Sequence, residues 1–289
     1  MNAISAAKKS FRAGARVFQR NGRPLIMGIL NVTPDSFSDG GEFLKPDVAV
    51  AHAMRMAAEG ADFIDIGGES SRPGSDPVSL EEELRRVLPV LKALRSVCDV
   101  PISIDTTKAG VAAAAMDAGA VILNDISALR FDSEMLQVLR NSGAAVVLMH
   151  MQGEPKTMQD HPHYDDLIGE IRLFLEERIA FLLDAGIERD RILVDPGIGF
   201  GKRIEDNFEL LARLAEFADL GPLLVGPSRK AFLGKILNRP PHERLFGTAA
   251  AAAVAAMNGA DILRVHDVGP IREVVEVVQR CCEVAVRPG

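Results

Sequence analysis

Short apolar runs alternate with longer amphipathic stretches along the whole chain. Eight runs rich in Val, Ile and Leu occupy residues 25–30, 63–66, 102–104, 121–123, 145–149, 192–194, 223–225 and 262–265. They are near-continuous rather than alternating, which is the pattern of parallel strands covered on both faces. Between them the apolar period becomes helical. In residues 79–97, Ser79 and Glu82 make a capping-box pair, and Leu80, Leu84, Val87, Leu88, Leu91 and Leu94 form one face, with Pro89 predicted to kink the helix. Residues 164–185 predict a longer helix that turns Leu167, Ile171, Phe174, Leu175 and Leu182 inward and stops at Gly186. Residues 243–257 predict an alanine-rich helix that can lie close to a neighbour.

Strict alternation of strand and helix implies a parallel α/β sheet, and eight units is the number that closes a single (β/α)8 barrel of the TIM type. An open doubly wound sheet is the other arrangement that the alternation permits. No linker or shift of composition divides the chain. Residues 21–289 therefore predict one barrel domain, and residues 1–20 an exposed extension ahead of the first strand.

Composition narrows the partners. With 47 % hydrophobic and 25 % charged residues, the chain can bury a large core. A formal net charge of -7 argues against general nucleic-acid binding, which needs a basic stripe to displace counterions. Cys98, Cys281 and Cys282 have no metal-binding spacing and suit a reducing compartment. The N-terminus lacks the apolar segment of a secretory signal, and no stretch is apolar enough to span a membrane, so a cytoplasmic protein is expected.

In a barrel of this type, function sits where the strands end. Every run here ends polar: Asn31, the segment 67–72, Asp105, Asn124 with Asp125, His150, Asp195, the segment 228–230, and Arg264 with His266. Arg72, Lys230, Arg264 and His266 would converge at one mouth of an otherwise acidic protein, and desolvated cationic donors suit phosphate or carboxylate oxygens. Asp105, Asp195 and Asn124 offer planar groups able to pair edge-on with a heterocycle bearing ring N–H and amino donors. The segment DPGIGFGK matches neither a phosphate loop nor a dinucleotide fingerprint, so its glycines predict a close backbone approach, with Phe200 either in the core or stacked on a ligand. His150 is read as satisfying buried groups, and His161 and His163 as solvated.

Taken together, ILNVTPDSFSDGG, DIGGESSRPG, SIDTTK, LNDIS, LMHMQGEPKTMQ, DPGIGFGK, GPSRKAFLG and RVHDV resemble, in order, the motifs of the dihydropteroate synthases, from about Leu25 to the eighth unit. The resemblance implies condensation of 6-hydroxymethyl-7,8-dihydropterin diphosphate with 4-aminobenzoate, giving 7,8-dihydropteroate and diphosphate. It implies that Asp105, Asn124, Asp195 and Lys230 hold the pterin, with Ile126 and Met149 on its faces. Asn31 with Mg²⁺, together with Arg72, Arg264 and His266, would hold the diphosphate; Ser71, Pro73, Phe200 and Ser228 would border the aminobenzoate. A homodimer is expected on the same ground. A pterin-binding module without condensing activity is the alternative function. At Ser71 this chain departs from the family's usual Thr, losing a methyl where aminobenzoate and its sulfonamide mimics would lie.

Two expectations follow for single residues. Asp195→Ala should abolish pterin binding, whereas Arg264→Ala should weaken diphosphate-containing ligands and spare free pterin. The segment 32–41 reads as a mobile lid, with Asp35 and Phe37 joining Lys230 as candidate catalytic residues over the reaction centre.

Overall fold

The computed structural model describes residues 10–19, 22–33, 46–70 and 74–285. Two short strands, β1 (Ser10–Ala13) and β2 (Arg16–Gln19), pair antiparallel ahead of the main sheet. Eight parallel strands follow: β3 (Leu25–Asn31), β4 (Phe63–Gly67), β5 (Ile102–Asp105), β6 (Ile122–Asp125), β7 (Ala145–Met149), β8 (Ile192–Asp195), β9 (Leu224–Val225) and β10 (Ile262–Val265). Their order is β8-β7-β6-β5-β4-β3-β10-β9. The two ends of that ladder meet where Val194 bridges in parallel to Leu223 and Val194 N donates to Pro222 O at 3.0 Å, so the sheet closes as a barrel rather than staying open.

Around it stand α1 (Pro46–Ala58), α2 (Leu80–Val97), α3 (Ala109–Asp117), α4 (Met135–Ser142), α5 (Leu167–Asp184), α6 (Ile204–Ala212), α7 (Ala231–Leu237), α8 (Leu245–Met257) and α9 (Val268–Ala285). The strands are apolar throughout because each feeds two cores. Ile64, Ile66, Ile104, Val146 and Val194 face the helices and join Leu91, Ile171, Leu175, Ala252 and Ile271 in one cluster. Met27, Phe63, Ile122, Val147, Leu193 and Ile262 belong to a second cluster that fills the barrel.

Helix ends differ from the sequence expectation in one instructive way. Ser79 Oγ accepts from Glu82 N at 3.2 Å, but the Glu82 carboxylate turns to Arg85 and Arg86, both at 2.7 Å, so only half of the capping box forms. The helix runs unbroken through Pro89, and Leu80, expected on the buried face, is 38 % exposed while Glu83 is fully buried. α5 does stop at Gly186, which takes φ +83°.

Of the segment expected to be an exposed extension, residues 10–19 pack against the barrel instead. Within residues 10–19, Phe11 is 3 % and Ala13 1 % exposed, and both belong to the barrel-filling cluster. The Phe11 ring lies 5.3 Å from that of Phe18 and 5.9 Å from that of Phe63. The hairpin is a plug for the barrel floor, where Phe63 would otherwise face water.

Candidate active site

Side chains alternate across a strand, so inward positions recur every second residue. Phe63 lies in the floor, and two residues on stands Asp65; Ile122 is followed in this way by Asn124, Leu193 by Asp195, and Ile262 by Arg264. The interior therefore passes from an apolar floor to a polar mouth at the C-terminal ends of the strands.

Arg264 organises that mouth. Its Nε donates to Asp65 Oδ2 at 2.6 Å and its Nη2 to Asp105 Oδ2 at 2.6 Å. Asn124 Nδ2 donates to the same Asp65 oxygen at 3.1 Å. An ionised carboxylate only accepts, so Asn124 must turn its amide nitrogen to Asp65 and its carbonyl away. Asp65 is fully buried and was not singled out in the sequence reading, although an Asp inside an apolar run is itself a signal that a buried partner waits for it. The acidic and basic sets expected to serve different parts of a substrate are thus one network, with Arg264 between two carboxylates.

Burial sets the charges. It pushes Asp195 up to about 6, against the Gly197 N–H that donates to its Oδ1 at 2.7 Å. Burial likewise raises Asp105, and Arg264 opposes the shift. Lys230 is pushed down to about 8 by burial and then by Arg264, with Asp195 and Asp105 opposing. For Arg264 burial works against the charge, but Asp65 and Asp105 outweigh it and hold the guanidinium protonated.

Beside this network lies a small apolar wall. Ile126, Met149 and Phe200, singled out from the sequence, form one cluster with Met151 and Met158, which were not. Lys230 Nζ sits 4.0 Å above the Phe200 ring, within cation–π range. Phe200 is 7 % exposed, so it belongs both to this wall and to the mouth. A cleft of about 30 Å³ opens next to Asp105 and Ile126, bounded by Glu69, Glu83 and Lys108. Lys108 Nζ joins those two glutamates at 2.5 and 2.6 Å.

The remaining predicted positions divide. Ser228 Oγ meets His266 Nδ1 at 2.9 Å and accepts from His266 N at 3.2 Å, which joins a residue assigned to aminobenzoate with one assigned to diphosphate. Arg229 between Ser228 and Lys230 takes φ +56° and is held by Asp267 at 2.6 Å, so it shapes the turn that presents its neighbours. Asn31 ends β3 opposite Gly67; a Cβ at Gly67 would lie 3.5 Å from Asp105 Cβ and 3.8 Å from Asn31 Oδ1, so the glycine leaves room between them. His150 is 6 % exposed and bonded to Lys202, as its reading as a satisfied buried group implied, and burial pushes it down to about 2. Asp35, Phe37, Ser71, Arg72 and Pro73 lie outside the described residues.

The sequence pattern of the pterin binding enzyme family matches residues 27–266. Over 274 residues, 94 % of this chain and 92 % of the relative, the chain is 50 % identical to the dihydropteroate synthase of Synechocystis sp.. The chain belongs to the dihydropteroate synthase family. Its fold is similar to that of the Xanthomonas albilineans dihydropteroate synthase with 4-aminobenzoic acid, at 45 % identity and a TM-score of 0.89, covering 98 % of this chain and 100 % of that one. It is similar also to the Burkholderia cenocepacia dihydropteroate synthase complexed with 7,8-dihydropteroate, at 43 % identity and a TM-score of 0.87, covering 96 % and 98 %. Barrels of this type carry their chemistry at the C-terminal ends of the strands, and it is there that this chain gathers planar acceptors, an apolar wall and cations.

Proposed function

We infer that this chain is a dihydropteroate synthase that condenses 6-hydroxymethyl-7,8-dihydropterin diphosphate with 4-aminobenzoate, releasing diphosphate and 7,8-dihydropteroate. The observation that carries the reading is the convergence of Asp105, Asn124, Asp195 and Lys230 on one barrel mouth, in a chain half identical to a curated synthase over nearly its whole length. The complexes of its relatives with 4-aminobenzoic acid and with 7,8-dihydropteroate match the proposed substrate and product.

The residues perform distinct tasks in this reading. Asp195, Asp105 and the Asn124 carbonyl accept from the amino and ring N–H edge of the pterin, Lys230 donates to it, and Ile126 and Met149 cover its faces. Phe200 and Ser228, with Ser71 and Pro73, border the aminobenzoate. Arg264 and His266, with Arg72 and Asn31, receive the diphosphate. A guanidinium has five N–H donors, and the bonds to Asp65 and Asp105 engage two of them, so Arg264 keeps three for phosphate oxygens. The C–O bond to diphosphate breaks, the neutral arylamine attacks the electron-poor methylene that remains, and the amine then gives up a proton. No protein nucleophile is required. Asp35 and Phe37 are assigned to covering the reaction centre.

Mg²⁺ fits the donor set in a limited sense. Asn31 contributes a hard amide oxygen near the Asp105 carboxylate, and among the described residues no group of three His, Cys, Asp or Glu forms a dedicated cage. An amide oxygen of this kind suits a hard cation that is otherwise held by substrate phosphates. When bound, Mg²⁺ would neutralise charge on the departing diphosphate.

A homodimer and a cytoplasmic location complete the proposal. Phe246 is 87 % exposed, and Ile236, Leu237, Val254 and Met257 on the same two helices, α7 and α8, are 41–57 % exposed, an apolar surface suited to a second copy. All three cysteines are free thiols, which suits a reducing compartment. Diphosphate release by purified protein, assayed with and without aminobenzoate and Mg²⁺, tests the activity: release should need all components. Protein that binds the pterin yet makes no dihydropteroate would instead be the carrier without condensing activity. Light scattering of wild type and Phe246→Glu tests the dimer, which the charge should dissociate.

A further inference from the structure

Lys202 is a buried amine with no anion bonded to it. It is 3 % exposed, and its Nζ lies 3.0 Å from His150 Nδ1 and 3.0 Å from Phe200 O. Among the described residues, no carboxylate stands within ion-pair distance of that nitrogen. Isolated buried ammonium groups are costly, and buried lysines commonly lose their proton unless a nearby charge holds it. Burial pushes Lys202 down to about 7, with Asp195 and Asp206 opposing the shift and Lys230 adding to it, so the amine is protonated on the acid side of neutrality.

The loop of residues 195–202 depends on these bonds for its seat. His150 N donates to Asp195 O at 2.9 Å, and the His150 ring packs edge-on against Phe174 at 5.0 Å. A Cβ on Gly197, which takes φ +73°, would collide with His150 O and lie 3.3 Å from Lys202 Nζ. Tyr164 OH donates to Gly201 O at 2.6 Å, and Gln159 Nε2 to Gly199 O at 2.9 Å. Lys202 alone among these contacts can carry a charge, and the loop it seats carries both Asp195 and Phe200. The Phe200 residue is thus gripped twice, with Lys202 on its carbonyl and Lys230 over its ring.

We propose that Lys202 is a positioning residue for the condensation: bonded to His150 and to the Phe200 carbonyl, it seats the loop of residues 195–202 and, in its protonated form, favours an ionised Asp195 for the pterin edge. The proposal rests on Asp195 receiving the pterin. Asp195 is faced by Lys230, Lys202 and Arg264. Lys230 and Arg264 are also engaged by substrates in the mechanism above, whereas the Lys202 nitrogen is committed to protein acceptors and, when protonated, acts on Asp195 on the acid limb, where Asp195 itself titrates. When Lys202 is protonated, its bond to Nδ1 requires His150 to carry its proton on Nε2, since a charged amine only donates.

The test compares Lys202→Met and Lys202→Arg with wild type in the full chain, measuring kcat and KM for each substrate from about pH 5 to pH 9. The methionine variant should move the acid limb of kcat/KM for pterin diphosphate upward by about one unit, a tenfold loss on that limb, because a cation stabilising a buried carboxylate has gone. The arginine variant should keep the limb in place, but raise KM for aminobenzoate because a planar guanidinium cannot reproduce the geometry at Phe200. An unmoved limb in the methionine variant overturns the proposal, and so does an equal displacement in both variants. If the methionine variant does not fold, ¹⁵N NMR of the lysine Nζ groups in wild type decides: a charged Lys202 at pH 6 supports the proposal and a neutral amine there overturns it. Calorimetry of wild type with the pterin separates the two ideas, since absent binding refutes the functional reading, whereas binding with unchanged variants refutes only the role of Lys202.

Discussion

Removing Arg264 should damage more than diphosphate recognition. The sequence suggested a cation at the anion end of the substrate, whose loss spares free pterin. In the structure its side chain is 17 % exposed and lies 2.6 Å from Asp65, fully buried, and 2.6 Å from Asp105, 13 % exposed. Alanine there leaves two buried carboxylates with the Asn124 amide as the remaining side-chain donor to Asp65. Breaking a buried pair by deleting one partner costs about 3–5 kcal/mol, and one cation serving two anions places this site toward the upper end. The loss must depend on pH. Asp105, already raised by burial, loses the cation that opposes the shift, so the folded state holds a proton that the unfolded chain releases near its ordinary value. Stability of the variant then falls as pH rises from the unfolded value through the raised folded one. Urea denaturation should accordingly show the full deficit at about pH 8 and a smaller one at about pH 5. Calorimetry should show free pterin bound roughly ten- to a hundredfold more weakly, the worth of a charge-assisted hydrogen bond, since Asp105 and, through Asp65, Asn124 lose their orientation. Pterin diphosphate should lose more. Lys at this position keeps the charge but cannot bridge both carboxylates, and should fall between. Wild-type stability at pH 8 together with unchanged free-pterin affinity would falsify this account.

Other outcomes follow from the same geometry. Asp195→Ala should abolish pterin binding, since the donors of the amino edge are left unpaired in a buried site, and calorimetry showing wild-type affinity would remove Asp195 from the site. The free-enzyme profile of kcat/KM for pterin diphosphate should rise through about pH 6 as Asp195 ionises and fall through about pH 8 as Lys230 loses its proton; a flat profile across that range contradicts both assignments. Phe11→Ala should cost about 3–4 kcal/mol in urea denaturation with little change in kcat, because it empties the barrel floor and leaves the mouth intact. A cost below about 1 kcal/mol would show that the hairpin merely rests on the barrel.

Much was legible in the chain before folding. The eight apolar runs, their polar ends and the helices between them fix a parallel barrel because each local signal is short-range: strand period, helix face and stop residue lie within a few positions of one another. Asn31, Asp105, Asn124, Asp195, Lys230, Arg264 and His266 all stand in the last two positions of a strand or beyond its end, where the fold gathers them, and their motifs carry the family resemblance over most of the chain. Tertiary structure decided how they pair. Asp65 hid inside an apolar run until Arg264, 199 residues away, reached it. Phe11 fell within the expected exposed extension until the barrel floor gave its ring a place beside Phe63. Lys202 read as the end of a glycine-rich loop until His150, 52 residues away, met its nitrogen. In each case the deciding partner is remote in sequence, and the cost of burying a charge or the gain from burying a ring exists only once the chain has brought that partner near.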